Sequence, residues 1–325
     1  MGLSRKGYTA LKDNKQTAQR VDIGGQAVLE GVMMKSPEYI ALAVRRPDGS
    51  VVLKRDPYEA PSEKHKWMGW PLIRGSVNFL SSMINGVKAL MFSADYFPEE
   101  EGAQPDKLDA WLEKHVPAEK LQGVLITVAV VLAVGMSVGL FMVLPALVAG
   151  LLGRWIANAA VLNLIEGVVK VALFMGYLIL CSRQKDIKRV FAYHGAEHKT
   201  IFCYEHGKEL TVENIREERR FHPRCGTSFL VLMLLVSILI GFFIPATLNK
   251  WVLTAIKLAI MPLVMGIGYE LIKFCGRHDN WLTRIIAAPG LWFQRITVLE
   301  PDDAMIECAI AAMKEVIPDD GSDAW

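Results

Sequence analysis

Charge is scarce in this sequence: 22% of its 325 residues are charged and 52% are hydrophobic, an apolar surplus that a water-soluble domain of this length does not need. The lipid bilayer is the natural solvent for that surplus. Acidic and basic residues nearly cancel, at a formal net charge of +2, and there is no strong basic patch, so nucleic acid is not an expected partner. Cysteine is sparse as well. The five present are scattered and odd in number, which makes no disulfide framework, and Cys203 and Cys225 read as reduced cytosolic thiols. The polar opening MGLSRKGYTALKDNKQTAQR lacks the apolar run and small-residue cleavage site of a signal peptide, so the N-terminus is expected to stay in the cytoplasm. Internal repeats, low-complexity blocks, a GxSxG nucleophile elbow and a Walker-type phosphate loop are all missing.

Long uncharged runs are what the chain does have. From Leu121 to Gly153 there are 33 consecutive uncharged residues, where roughly 20 helical residues cross a bilayer. A first span is expected over Leu121 to Leu144, with Pro145 to Gly153 as a break or turn on the far side. A second runs from Trp155 to Cys181 and carries Glu166 and Lys170 one turn apart, a spacing that suits a buried pair. A third covers Ser228 to Leu248. A fourth covers Trp251 to Cys275 and contains Lys257, Glu270 and Lys273, with Glu270 read either as a partner of one of those lysines or as a distant metal-ligating carboxylate. The polar stretch Ser182 to Thr227 holds ten Lys or Arg, whereas the two hairpin tips offer only Arg154 and Lys250. That bias places the stretch, and both termini with it, on the cytoplasmic side.

The fold class expected is therefore mainly α: a polytopic helical membrane protein with about four transmembrane helices and a small N-terminal β element. Residues 1–20 form a flexible tail, and residues 21–70 a small β-containing element, signalled by the alternating run IALAVRRPDGSVVLKRD around a Pro-Asp-Gly turn. The pair Gly24-Gly25 in GGQAVLEGVMM reads as a turn leading into a strand, with an anion-binding nest as the alternative. Residues 71–118 are an amphipathic or interfacial helical region, 119–181 the first transmembrane hairpin, 182–227 the cytoplasmic segment and 228–275 the second hairpin. Residues 276–325 are a cytoplasmic C-terminal region, in which Asp302 to Val316 repeats apolar residues at helical spacing.

The chemistry concentrates in the cytoplasmic segment. KRVFAYHGAEHKTIFCYEHG reads as a helix that puts His194, Glu197 and His198 on one face. Two imidazoles one turn apart can hold a divalent metal, and a carboxylate beside them can take a proton from an activated water; HxxEH is the inverted zinc-protease motif. In FHPRCGTSF, His222 and Cys225 have the spacing by which one turn offers two ligands. Convergence of the two clusters gives a zinc-type nitrogen and sulfur site of His194, His198, His222 and Cys225, with Glu197 as a carboxylate that either supports a ligand or is catalytic. Four protein ligands would close such a site and make it structural, so catalysis requires one of them to be a bystander. Against this stands a reading in which the histidines are packing residues and Cys225 is a plain buried thiol. His278 and Asp279 either line the same cavity or cap a helix, and His65, His115 and His206 read as surface residues.

GGQAVLEGVMM, YHGAEHK, HPRCGTSF and PGLWFQRITVLEPDD, in that order, resemble the bacterial membrane family called domain of unknown function 1385, of the YqhQ type; the resemblance runs from about Asp22 to Met313. It implies a bacterial inner-membrane location and a predicted metal-dependent enzyme, with a metal site at His194, Glu197, His198, His222 and Cys225. The leading functional expectation is a zinc-dependent hydrolase at the cytoplasmic face, acting on an amide or ester bond of a lipid-linked or membrane-protein substrate. Its rivals are a non-catalytic scaffold or assembly factor with a structural metal, and a transporter using Glu166, Lys170, Lys257, Glu270 and Lys273.

Overall fold

The computed structural model describes residues 21–97, 118–244, 249–278 and 280–318. The expected β element is a four-stranded antiparallel meander of β1 (Gly24–Val28), β2 (Gly31–Lys35), β3 (Tyr39–Arg45) and β4 (Val51–Pro57), in the order β1-β2-β3-β4. The Pro-Asp-Gly turn joins β3 to β4, with Gly49 at φ +85° and the Asp48 carboxylate accepting from Ser50 N–H at 2.8 Å. Strand alternation sends Val32, Met34, Ala41 and Ala43 to one face and Met33, Leu42 and Val44 to the other. Both faces are covered. The first packs on α4 (Lys185–Glu205) and α10 (Asp303–Lys314), and the second on the end of α1 (Ile73–Ala94) around Ala89 and Phe92. The C-terminal amphipathic helix is thus a core element: Met305, Ile306, Cys308, Ala309, Ala312 and Met313 are all buried.

α2 (Ala118–Val138) does not break at Pro145 as expected. It continues through a π-helical turn, Gly139–Val143, into Leu144–Leu152. A proline lacks the N–H that an α-helical turn requires, and the wider π turn just before it lets the helix run on without that bond. α3 (Ala159–Cys181) follows. Gly123–Leu152 and Ala159–Cys181 are each long and apolar enough to cross a membrane. After α4 and the short α5 (Val212–Glu217) come α6 (Gly226–Gly241), apolar but only 16 residues long, then α7 (Lys250–Ala259) and α8 (Met261–Arg277). The stretch expected as a fourth straight span is bent by 44° between α7 and α8, where Pro262 lies in the first turn of α8; taken together the two pass as a third candidate span. Residues 245–248, at the end of the expected third span, lie outside the described residues, as do His115 and Asp279.

Paired charges tie the helices together. Glu166 lies between Lys170, at 3.0 Å, and Lys257, as a carboxylate buried among apolar helices requires. Glu270 takes neither Lys257 nor Lys273 as its direct partner. Arg74 of α1 grips both its oxygens at 2.7 and 2.5 Å, which pins α1 against α8 and occupies the carboxylate that had been weighed as a distant metal ligand.

Candidate metal centre

α4 starts after Gln184 with Asp186 in its first turn, where a negative charge complements the helix dipole. Its middle is deeply buried, from Ala192 to Cys203 with few interruptions, because the sheet lies on one side and the chain after Thr297 on the other. Gly195 makes that second approach possible: a Cβ there would stand 2.0 Å from the Leu299 carbonyl oxygen. Leu299 N–H donates to the Phe191 carbonyl at 2.9 Å, so the segment after Thr297 runs against the helix backbone itself.

This contact orients the first histidine. His194 Nδ1 lies 3.0 Å from the Thr297 carbonyl oxygen, and His198 Nδ1 lies 2.6 Å from that of Arg220. A carbonyl only accepts, so each Nδ1 carries the proton and each Nε2 is left with a free lone pair. His194 Nε2 is 3.2 Å from Cys225 Sγ, and the two imidazole rings are 4.4 Å apart. Cys225 is the N-cap of α6, with its sulfur accepting from Thr227 N–H at 3.3 Å. Burial pushes its thiol pKa up, but His198 and the Thr227 N–H outweigh this and hold it below the usual range. One donor atom from each of His194, His198 and Cys225 falls within 4.8 Å of the others. His198 and Cys225 are buried and His194 is half-buried.

Glu197 is outside that triplet but next to it. Burial raises its pKa to about 8, with Cys225 adding to the rise and His194 and the Gly25 N–H opposing it. Its Oε2 is buried without a hydrogen-bond partner. Gly25 therefore acts in β1 rather than in a turn or a nest: a Cβ there would meet the Glu197 carboxyl carbon at 2.9 Å, so the missing side chain lets the backbone reach the carboxylate.

His222, expected as a fourth ligand, is beside the triplet and not in it. Its backbone N–H and carbonyl are both clamped by the Gln294 side chain, at 2.9 and 2.7 Å. Its Nδ1 accepts from Arg224 N–H at 3.3 Å, and its buried Nε2, 3.5 Å from Glu205 Oε2, has no hydrogen-bond partner among the described residues. Burial lowers its pKa to about 4, so the ring is neutral. Glu205 is in turn held by Arg224. His206 Nδ1 lies 2.9 Å from Glu218 Oε2, and His65 and His278 are exposed. Gln294, Glu205, Arg224 and the carbonyls of Thr297 and Arg220 were not singled out in the sequence; the PGLWFQRITVLEPDD motif, which contains Gln294 and Thr297, was the available signal.

The donor set fits a zinc-type ion. Two imidazoles with their far nitrogens fixed by carbonyls and one thiolate-prone sulfur would be borderline-soft ligands, and three such ligands would leave a coordination position open.

Residues 70–319 match the family described as "Protein of unknown function (DUF1385)". The chain is also 33% identical over 297 residues to "Uncharacterized protein YqhQ" of Bacillus subtilis (strain 168), an alignment covering 90% of this chain and 92% of that protein. No solved structure matches. With the family match covering most of the chain and the relative aligned over 90% of it, the chain belongs to the DUF1385 family.

Proposed function

We propose that this protein is a zinc-type hydrolase of the bacterial inner membrane, with His194, His198 and Cys225 as ligands and Glu197 as general base. The observation that carries the reading is the open three-donor set beside a buried carboxylate whose Oε2 has no partner. An orphaned buried carboxylate oxygen is costly, and a water held between it and the donor set would satisfy it. When bound, a zinc-type ion supplies Lewis-acid chemistry that makes water acidic near neutral pH. Glu197 receives the water's proton, and the Gly25 N–H keeps the carboxylate in place. Thr297 and Arg220 fix the histidine tautomers. His222 becomes a supporting residue, which is the bystander that an open site needs.

In this reading α2, α3, α6 and the α7–α8 pair cross the bilayer and residues 182–227 face the cytoplasm, supported by the ten Lys or Arg of that segment. The substrate is an ester or amide carried by a lipid or a membrane protein. The mutual pairing of Glu166, Lys170 and Lys257 around a crevice with room for little more than one water counts against the transporter reading.

A second reading rests on the 3.2 Å contact between Cys225 Sγ and His194 Nε2. A thiolate at a helix N-terminus, with a histidine oriented by a carbonyl, is also the arrangement of a cysteine nucleophile and its base. Cobalt(II) separates the two. The native protein should take up cobalt with a thiolate charge-transfer absorption that is lost in Cys225→Ser and His198→Ala and kept in His222→Ala. No cobalt uptake, together with fast alkylation of Cys225 by iodoacetamide, would replace the metal reading with the nucleophile.

A further inference from the structure

The helix α9 (Trp281–Thr297), between the last candidate span and the C-terminal core helix, has two faces of different character. Thr283, Ala287, Gly290, Gln294 and Thr297, at i, i+4, i+7, i+11 and i+14, are buried. The opposite stripe, offset by two residues, is Trp281, Ile285, Ala288 and Trp292, at i, i+4, i+7 and i+11, and every one is exposed. Trp281 is 74% exposed, Ile285 60% and Trp292 51%, which is a contiguous apolar face and not a scatter of single residues. Arg284 and Arg295 flank this stripe along one edge.

We infer that α9 lies in the plane of the membrane, its tryptophan stripe sunk into the cytoplasmic-side lipid interface and its two arginines at the level of the lipid phosphates. With two arginines and a glutamine in it, α9 is not a span; an apolar stripe edged by arginine and ended by tryptophan is the pattern of an interfacial helix. Three further observations favour lipid over a protein partner as the occupant. α9 packs on the apolar helices α6 and α8, and the Phe293 ring lies tilted against Phe174 of the candidate span α3, 5.5 Å between centroids, so the exposed stripe continues a surface already suited to lipid. All six described tryptophans are exposed, from 49% for Trp67 to 77% for Trp155. Three of them also bracket candidate spans: Trp155 and Trp251 lie near the starts of α3 and α7, and Trp281 follows the far end of the α7–α8 pair, the placement that aromatic belts take at the two faces of a bilayer.

The buried face of this same helix holds the candidate metal centre. Gln294 clamps His222 and Ser228, and the Thr297 carbonyl orients His194. The triplet therefore stands about one helix diameter, roughly 10 Å, from the lipid surface. The inference rests on the membrane orientation proposed above and not on which reaction the triplet performs.

The test uses the full chain in lipid nanodiscs, comparing native protein with a Trp281→Phe, Trp292→Phe variant. Subtracting the two emission spectra isolates these tryptophans. Lipids brominated near the glycerol end of the acyl chain should remove roughly half or more of the difference emission, and aqueous iodide should remove little. Quenching by iodide alone would place α9 in water. Quenching by neither would mean that protein, such as a second copy of the chain, covers the stripe. Either result overturns the inference, and the single Trp281→Phe variant gives the same discrimination if the double variant folds poorly.

Discussion

Replacing Glu197 with Gln should leave the metal in place and lower turnover by about 10²–10⁴-fold, the usual contribution of a positioned general base. Gln has the size of Glu, and its carbonyl oxygen can still accept the Gly25 N–H, so the packing of α4 against β1 survives. Only the capacity to take a proton is lost. The check is hydrolysis of 4-nitrophenyl acetate by the zinc-loaded protein, with metal stoichiometry measured on the same samples. Undiminished hydrolysis in the variant would remove Glu197 from the chemistry. Loss of the metal would move Glu197 into the ligand set, although its carboxylate lies outside the donor triplet.

Gly195→Ala should be the most damaging single-carbon change near the site. The added methyl would stand 2.0 Å from the Leu299 carbonyl oxygen, and both partners are backbone, so no side chain can swing away. Overpacking of this kind costs about 1–3 kcal/mol, which lowers the melting temperature by roughly 2–4 °C per kcal/mol in a domain of this size. The effect reaches the metal as well. If Leu299 moves, Thr297 moves with it, and the carbonyl that sets the His194 tautomer is lost; removal of such a supporting hydrogen bond weakens metal affinity about 10–100-fold. A competitive chelator titration together with a thermal melt reads both. A variant with native melting temperature and native affinity would show that the approach of the Leu299 segment does not determine the site.

Much of this site was legible in the sequence, for physical reasons that differ by residue. Side-chain periodicity is local, so the helix that aligns His194, Glu197 and His198 could be read from spacing alone, and the Pro-Asp-Gly turn gave the β3–β4 hairpin in the same way. Cys225 was legible as a neighbour of His222, but spacing alone did not show that His222 stands beside the His194, His198 and Cys225 triplet, nor that Gln294, 72 residues on, grips its backbone. Backbone carbonyls have no signature in sequence, which hid the roles of Thr297 and Arg220. Gly25 was visible as a glycine and misread as turn chemistry, because its reason for being glycine is a carboxylate 172 residues away in the chain, at Glu197. The pairing of Arg74 with Glu270 spans 196 residues and could not be read locally. α9 was missed because Pro289 and Gly290 interrupt its pattern; in the folded chain they sit inside a continuous helix, with Gly290 allowing close contact with Ser228.

The measurement that bears most directly on the central claim is elemental analysis of the native protein, purified in detergent without chelators. The account predicts about one zinc-type ion per chain, as a three-ligand site requires. Protein that is folded and free of metal, and that binds none when zinc is supplied, would contradict it, leaving the convergence of His194, His198 and Cys225 as a matter of packing or of thiol chemistry.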